Sequence, residues 1–127
     1  MIPIFLLIVM AVFDLGRAIY MYNGVSQAAR EVARATSVHP CVGNPCTLGN
    51  SPETAAAVST QKGLIPGLSD PTITCVDIDG SAINSSTTCV SGNQLRVSIT
   101  AAYSPITPLL GLTGTWTLQS TSSVAIQ

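Results

Sequence analysis

MIPIFLLIVMAVFDLGRAIYMYNGVSQAAREVARATS, residues 1–37, is the stretch whose reading decides the fold. An uninterrupted apolar run from Ile2 to Phe13 passes through Asp14 into an amphipathic segment, with no turn signal between them. Read as one helix at about 1.5 Å per residue, the stretch is roughly 50 Å long, whereas a compact domain of the remaining residues is only about 30 Å across. Half of the rod therefore has no core of its own chain to lie against. It requires a bilayer or other copies of itself.

The apolar run alone, twelve residues, is shorter than the roughly 20 needed to cross a bilayer. A signal peptide is excluded on detail, because no basic segment precedes the run and no small-x-small cleavage site follows it. The expectation is a processed span, residues 2–22, that sits first in membrane and later in a protein core. Asp14 and Arg17 lie three apart on a helix and are expected to pair, which lowers their cost in apolar surroundings. Pro3 suits the first turn of a helix, where its missing donor would have been unpaired anyway.

Further along, Ile8, Ala11, Leu15, Ala18, Tyr22, Val25, Ala29, Val32 and Thr36 recur at spacings of three and four, an Ala-rich seam along one side. Arg17, Tyr20, Gly24, Gln27, Glu31 and Arg34 fall opposite and are mostly polar. The rule that an amphipathic stripe is core places residues 22–37 against the chain's own head, leaving 1–21 to protrude. The helix is expected to end at Ser37 to Pro40, since the residue before a proline is pushed out of the α region.

Residues 38–127 form the expected head. HPCVGNPCTLGNSP reads as a loop, then PETAAAVSTQKG as a short helix with Ser51 as N-cap, Pro52 at its first position, Glu53 in its first turn and Gly63 as its stop. Thr72–Ile78, Gln94–Tyr103 and Thr115–Ile126 alternate as strands do, and an Asp-Gly turn after the first allows a minor strand near Ala82–Ile83. The fold class is α+β: a long N-terminal helix on a small antiparallel sheet, with one short extra helix.

Composition narrows the function. The chain of 127 residues is 46% hydrophobic but only 9% charged, so its wet surface is largely Ser, Thr, Asn and Gln. A net charge of -1 with no basic cluster excludes a nucleic-acid partner. The four cysteines sit in polar loops behind a membrane-type segment, which favours disulfides formed outside the cytoplasm. Of three possible pairings, Cys41–Cys46 with Cys75–Cys89 closes two local loops; zinc is the competing use, disfavoured by the long second spacing. The single histidine, His39, reads as an exposed loop residue with no nucleophile pattern around it, so no enzyme is expected. Asp77 and Asp79 in D-x-D-G are a weak metal candidate that reads better as a β-turn, because no glutamate follows Glu53 to complete a calcium loop. No phosphate loop or dinucleotide fingerprint is present, and no cofactor is expected. Asn84-Ser85-Ser86 fits the N-glycosylation acceptor pattern.

The order of residues in the N-terminal stretch resembles the signature of TadE-like pilin proteins of bacterial tight-adherence systems. That signature is an apolar run with a proline, then F-D-x-G-R-A, then N-x-V-x-x-A-A-R-E-x-A-R. Phe13, Asp14, Gly16, Arg17, Ala18, Asn23, Val25, Ala28, Ala29, Arg30, Glu31, Ala33 and Arg34 match it. A looser similarity continues through Tyr103, the S-P-I-T-P-L-L segment and the Thr-rich last strand. Family members usually carry a glutamate within the apolar run, whereas the first acid here is Asp14 and position 5 is Phe5. Either upstream residues have been removed by a leader peptidase, which is the favoured expectation, or the glutamate mechanism does not operate in this chain.

The resemblance implies a pilin-like fold and a subunit held in the cytoplasmic membrane until assembly machinery packs it into an extracellular, cell-surface filament, a homo-polymer of many copies. Ile4, Phe5, Ile8, Ala11, Val12, Leu15, Ala18 and Tyr22 are the expected filament-core positions, with Asp14 and Arg17 as the charge pair of that core. The Ser/Thr-rich head would form the outer surface used in adhesion. The alternatives are a minor pilin or pseudopilin that primes or caps a filament, and a membrane-anchored extracytoplasmic binding module.

Overall fold

A computed structural model describes residues 2–39, 46–81, 83, 89, 91–106 and 114–126. Helix α1 runs unbroken from Ile2 to Val38, and the His39 N–H still bonds back to the Ala35 carbonyl at 3.2 Å. A short 3-10 turn, Leu48–Asn50, precedes helix α2, Pro52–Leu64. Strands β1 (Thr72–Val76), β2 (Gln94–Tyr103) and β3 (Trp116–Ala125) form one antiparallel sheet in the order β1-β2-β3. The architecture is the pilin-like α+β arrangement, with β2 central and α1 packed across β2 and β3.

Alternation in β2 explains the layering. Leu95, Val97, Ile99, Ala101 and Tyr103 all point inward and are buried, while the polar Arg96, Ser98 and Thr100 point out. Across from them, α1 buries Val25, Ala28, Ala29, Val32 and Ala33, whose small side chains allow the helix to approach the sheet closely. The outer face of the sheet is tied by Gln119 and Thr121, both bonded to the Ser98 hydroxyl.

The buried stripe of α1 differs from the seam read at strict three-and-four spacing. Met21 is inside and Tyr22 is 54% exposed, and the stripe is two residues wide at Ala28–Ala29 and Val32–Ala33. The reason is that α1 has two neighbours, the sheet on one side and α2 on the other, so its covered surface is broader than a single coiled-coil seam. Gly24, expected on the polar side, faces Ile65 instead: a Cβ there would stand 3.2 Å from the Ile65 Cδ1.

The two helices are joined by a buried line of hydroxyls. Thr36 donates to the Val32 carbonyl at 2.8 Å, its oxygen lies 2.9 Å from the Thr54 hydroxyl, and that in turn lies 2.7 Å from the Ser51 hydroxyl. Each hydroxyl has one proton, so the direction is settled: Ser51 donates to Thr54, Thr54 to Thr36, and Thr36 to Val32. Ser51 does occupy the N-cap position of α2, but its side chain serves this chain of bonds rather than capping the helix. Gly63 does not stop α2. The helix continues through it to Leu64, and the Ile65 N–H closes the last turn on the Gln61 carbonyl at 2.9 Å.

The break comes at Ile65, whose backbone is extended ahead of Pro66, and Gly67 follows with φ of 77°. A Cβ there would lie 3.1 Å from the Ala102 carbonyl oxygen, so only glycine fits both the backbone and the close approach. The chain then runs beside β2 through the Leu68–Ala101 bridge, one residue out of register with the β1 pairing that follows. Strand β1 is shorter than expected at its C-terminal end, where Asp77 leads into the Asp-Gly turn, and β3 is one residue shorter at each end, although Ile126 still bonds through its N–H to the Asn93 carbonyl at 3.0 Å. Of the minor strand expected near Ala82–Ile83, Ala82 lies outside the described residues, and the Ile83 N–H bonds to the Cys75 carbonyl at 3.3 Å.

Candidate functional site

The candidate site is the exposed half of α1. An 18-residue window of this helix has mean hydropathy 2.2, and none of it is buried. Burial along α1 begins in earnest at Met21. Ile4, Ile8, Ala11, Val12 and Leu15 fall on one side of the rod and, with Leu7, line a shallow apolar depression. Of the other expected filament-core positions, Phe5 and Tyr22 are exposed outside that depression and Ala18 is half-buried. Gly16 sits among these residues with no atom within 4 Å of where its Cβ would be, so nothing in its own chain requires a glycine there.

Where the exposed half meets the head, Asp14 and Arg17 turn to the sheet. The Tyr103 hydroxyl donates to the main-chain carbonyl of Asp14 at 2.9 Å, and the Ile106 N–H donates to Asp14 Oδ1 at 3.3 Å. The Arg17 guanidinium lies over the Tyr103 ring, 5.8 Å from its centroid. Among the described residues the ion pair within 4 Å is Lys62–Asp70, at 2.7 Å on the surface. The expected pair of Asp14 with Arg17 is replaced by a clamp in which each engages the end of β2 or the residues just after it. That clamp extends the helix–head contact about two turns below the boundary expected at residue 21. Nothing in the sequence pattern marks it, because its partners are 89 residues apart.

The remaining candidates have local roles. Asp77 and Asp79 build a turn: the Gly80 N–H bonds to the Asp77 carbonyl at 2.8 Å, and the Ser81 hydroxyl and N–H both bond to Asp79 Oδ1. Those bonds, the hydroxyl foremost, hold the Asp79 carboxyl below the usual carboxylate range. Among the described residues no group of three or more His, Cys, Asp or Glu gathers into a metal site. Cys75 is disulfide-bonded to Cys89, with the Cα atoms 5.9 Å apart, and Cys46 is also in a disulfide. Cys41 and Asn84, and with them the Cys41–Cys46 pairing and the glycosylation acceptor, lie outside the described residues. A groove of about 610 Å³ between α1 and α2 is lined by Gln27, Arg30, Glu31, Arg34, Thr60 and Gln61, among others, with no histidine or cysteine.

Residues 1–34, the whole exposed half and most of the packed half of α1, match the family model of TadE-like proteins. This N-terminal segment is TadE-like. The match ends four residues before the helix does, so it describes the rod and not the head. No curated protein and no solved structure matches the chain. Within the TadE-like segment, the signature residues divide by environment. Val25, Ala28, Ala29 and Ala33 are buried against the head, whereas Phe13 is exposed and Asp14 and Arg17 form the clamp.

Proposed function

We propose that this chain is a non-catalytic structural subunit of a tight-adherence pilus, anchored in the cytoplasmic membrane by α1 and then polymerised through that helix into an extracellular filament. The observation that carries the reading is the apolar window of α1, none of whose residues its own head buries, on a segment that is TadE-like. A bilayer and a bundle of like helices are both apolar, so transfer between them changes little in hydrophobic free energy, and close packing decides the outcome. Gly16 supports this reading. Glycine in a helix interior costs about 1 kcal/mol relative to alanine, and here no intrachain contact explains it, whereas an approaching second helix would. The Ser/Thr-rich outer face of the sheet is left to form the wettable filament surface that meets whatever the cell adheres to.

The test is electron microscopy and mass spectrometry of material sheared from cells that express the chain. Filaments in which this chain is the principal component support the reading. Its confinement to membranes, or its presence in filaments only at trace level, overturns it in favour of an anchored module or a minor, priming subunit.

A further inference from the structure

We propose that the end of the head nearest the exposed helix, where Trp116 and Ile106 lie, is an interfacial anchor that rests in the lipid headgroup layer while the subunit is in the membrane. The proposal rests on the membrane-inserted state described above and names the surface that state presents to lipid.

The level of the bilayer edge is set by charge. The helix is apolar through Phe13, and Asp14 and Arg17 are its first ionisable residues. A charged side chain deep in hydrocarbon is costly to insert, so the hydrocarbon boundary falls close to Asp14, with Arg17 reaching outward. The head grips the helix at that same level. Tyr103 bonds to the Asp14 carbonyl, Ile106 to the Asp14 carboxylate, and Trp116 is the direct cross-strand partner of Tyr103. The head therefore has no freedom to stand clear of the bilayer unless those bonds break.

The residues at this level are suited to that position. Ile106 is 67% exposed and Trp116 49%. Trp and Tyr concentrate at membrane–water interfaces, where the ring is apolar and the polar atom is wet. The headgroup layer is about 5–8 Å deep on each side of the hydrocarbon, roughly one helical turn, which accommodates the Trp116 and Ile106 level. Asp77 and Asp79 follow β1 at the opposite end of the sheet, where Val76 pairs with Gln94, so these two carboxylates are kept away from the lipid.

Trp116 is the only tryptophan in the chain and reports its own surroundings. The full chain is reconstituted at high dilution in phosphatidylethanolamine–phosphatidylglycerol vesicles and recovered by flotation. The expected result is a blue-shifted Trp116 emission, iodide quenching several-fold weaker than for free tryptophan, and stronger quenching by lipids brominated near the carbonyl end than near the methyl end. Ile106→Ser should move the emission back toward red without lowering the melting temperature of the head, because Ile106 is exposed. Water-like emission with full iodide access in floated protein overturns the anchor and leaves the membrane reading intact. A blue shift that disappears when empty vesicles dilute the protein assigns the cover to a second copy and also overturns it. A chain that does not float overturns the membrane reading and the anchor together.

Discussion

Tyr103, the last residue of the central strand, donates its phenolic hydrogen to the backbone carbonyl of Asp14 at 2.9 Å, across 89 residues of sequence. A helical carbonyl has two lone pairs, so this bond can be added to the helix without taking a partner from it. The ring itself is buried and carries Arg17 above it, so one side chain joins strand, helix backbone and cation at the point where the rod leaves the head. Tyr103→Phe keeps the ring and removes only the bond, and should cost about 0.5–1.5 kcal/mol in denaturant unfolding of the detergent-solubilised chain. Tyr103→Ala should cost about 3 kcal/mol or more, since it also empties the ring's site. Equal losses from the two variants would show that the hydrogen bond, and not packing, dominates.

The hydroxyl line from Ser51 through Thr54 to Thr36 should behave as one coupled unit. Thr54→Val leaves the buried Ser51 hydroxyl without its acceptor and removes the donor to Thr36, so a loss of about 1–3 kcal/mol is expected. A double-mutant cycle between Thr36→Val and Thr54→Val should give a coupling of about 0.5–1.5 kcal/mol. Simple additivity in that cycle would mean the two hydroxyls do not bond in solution.

Reduction of Cys75–Cys89, or the paired Cys75→Ser and Cys89→Ser substitution, opens a loop with a sequence separation of 14. The chain-entropy model assigns about 3 kcal/mol to a loop of this size. Calorimetry with and without reductant on a Cys41→Ser, Cys46→Ser background isolates that bridge. An unchanged melting temperature there would exclude a stabilising role.

Asp79 gives a pH dependence of definite sign. Its folded-state pKa is lowered, first by the Ser81 hydroxyl, so its contribution to the turn is present above the unfolded aspartate value and lost as pH falls through the folded one. Ser81→Ala should therefore raise the titration midpoint of Asp79 followed by carboxyl carbon NMR. A midpoint that stays where it was would remove Ser81 as the cause.

Gly16 separates folding from assembly. A Cβ at this position would meet nothing within 4 Å beyond its own turn of helix, so Gly16→Leu should leave the melting temperature of the head unchanged or slightly raised. On the filament reading the same variant should strongly reduce sheared filaments, because a bulky side chain keeps neighbouring helices apart. Normal piliation by this variant would count against close helix packing at that position.

Much of this molecule is local in origin. The unbroken apolar and then amphipathic run dictates α1, the period-two pattern of QLRVSITAAY dictates β2 and its buried face, and Asp-Gly chemistry dictates the turn at Asp77–Gly80, because each depends on residues a few positions apart. The resemblance of the N-terminal segment to TadE-like proteins is legible for the same reason. Tertiary structure decided what depends on distant partners. Met21 rather than Tyr22 faces inward because α1 is flanked by both sheet and α2. Gly67 has to be glycine because the Ala102 carbonyl crowds the backbone there. Asp14 and Arg17 meet Tyr103 and Ile106 instead of each other, because the sheet brings the end of β2 to a helix position far away in sequence. The sequence by itself determined that a greasy rod would outrun its head. Only the tertiary structure decided where the head takes hold of it, since that depends on how far the strands carry the chain before Tyr103 can reach the helix.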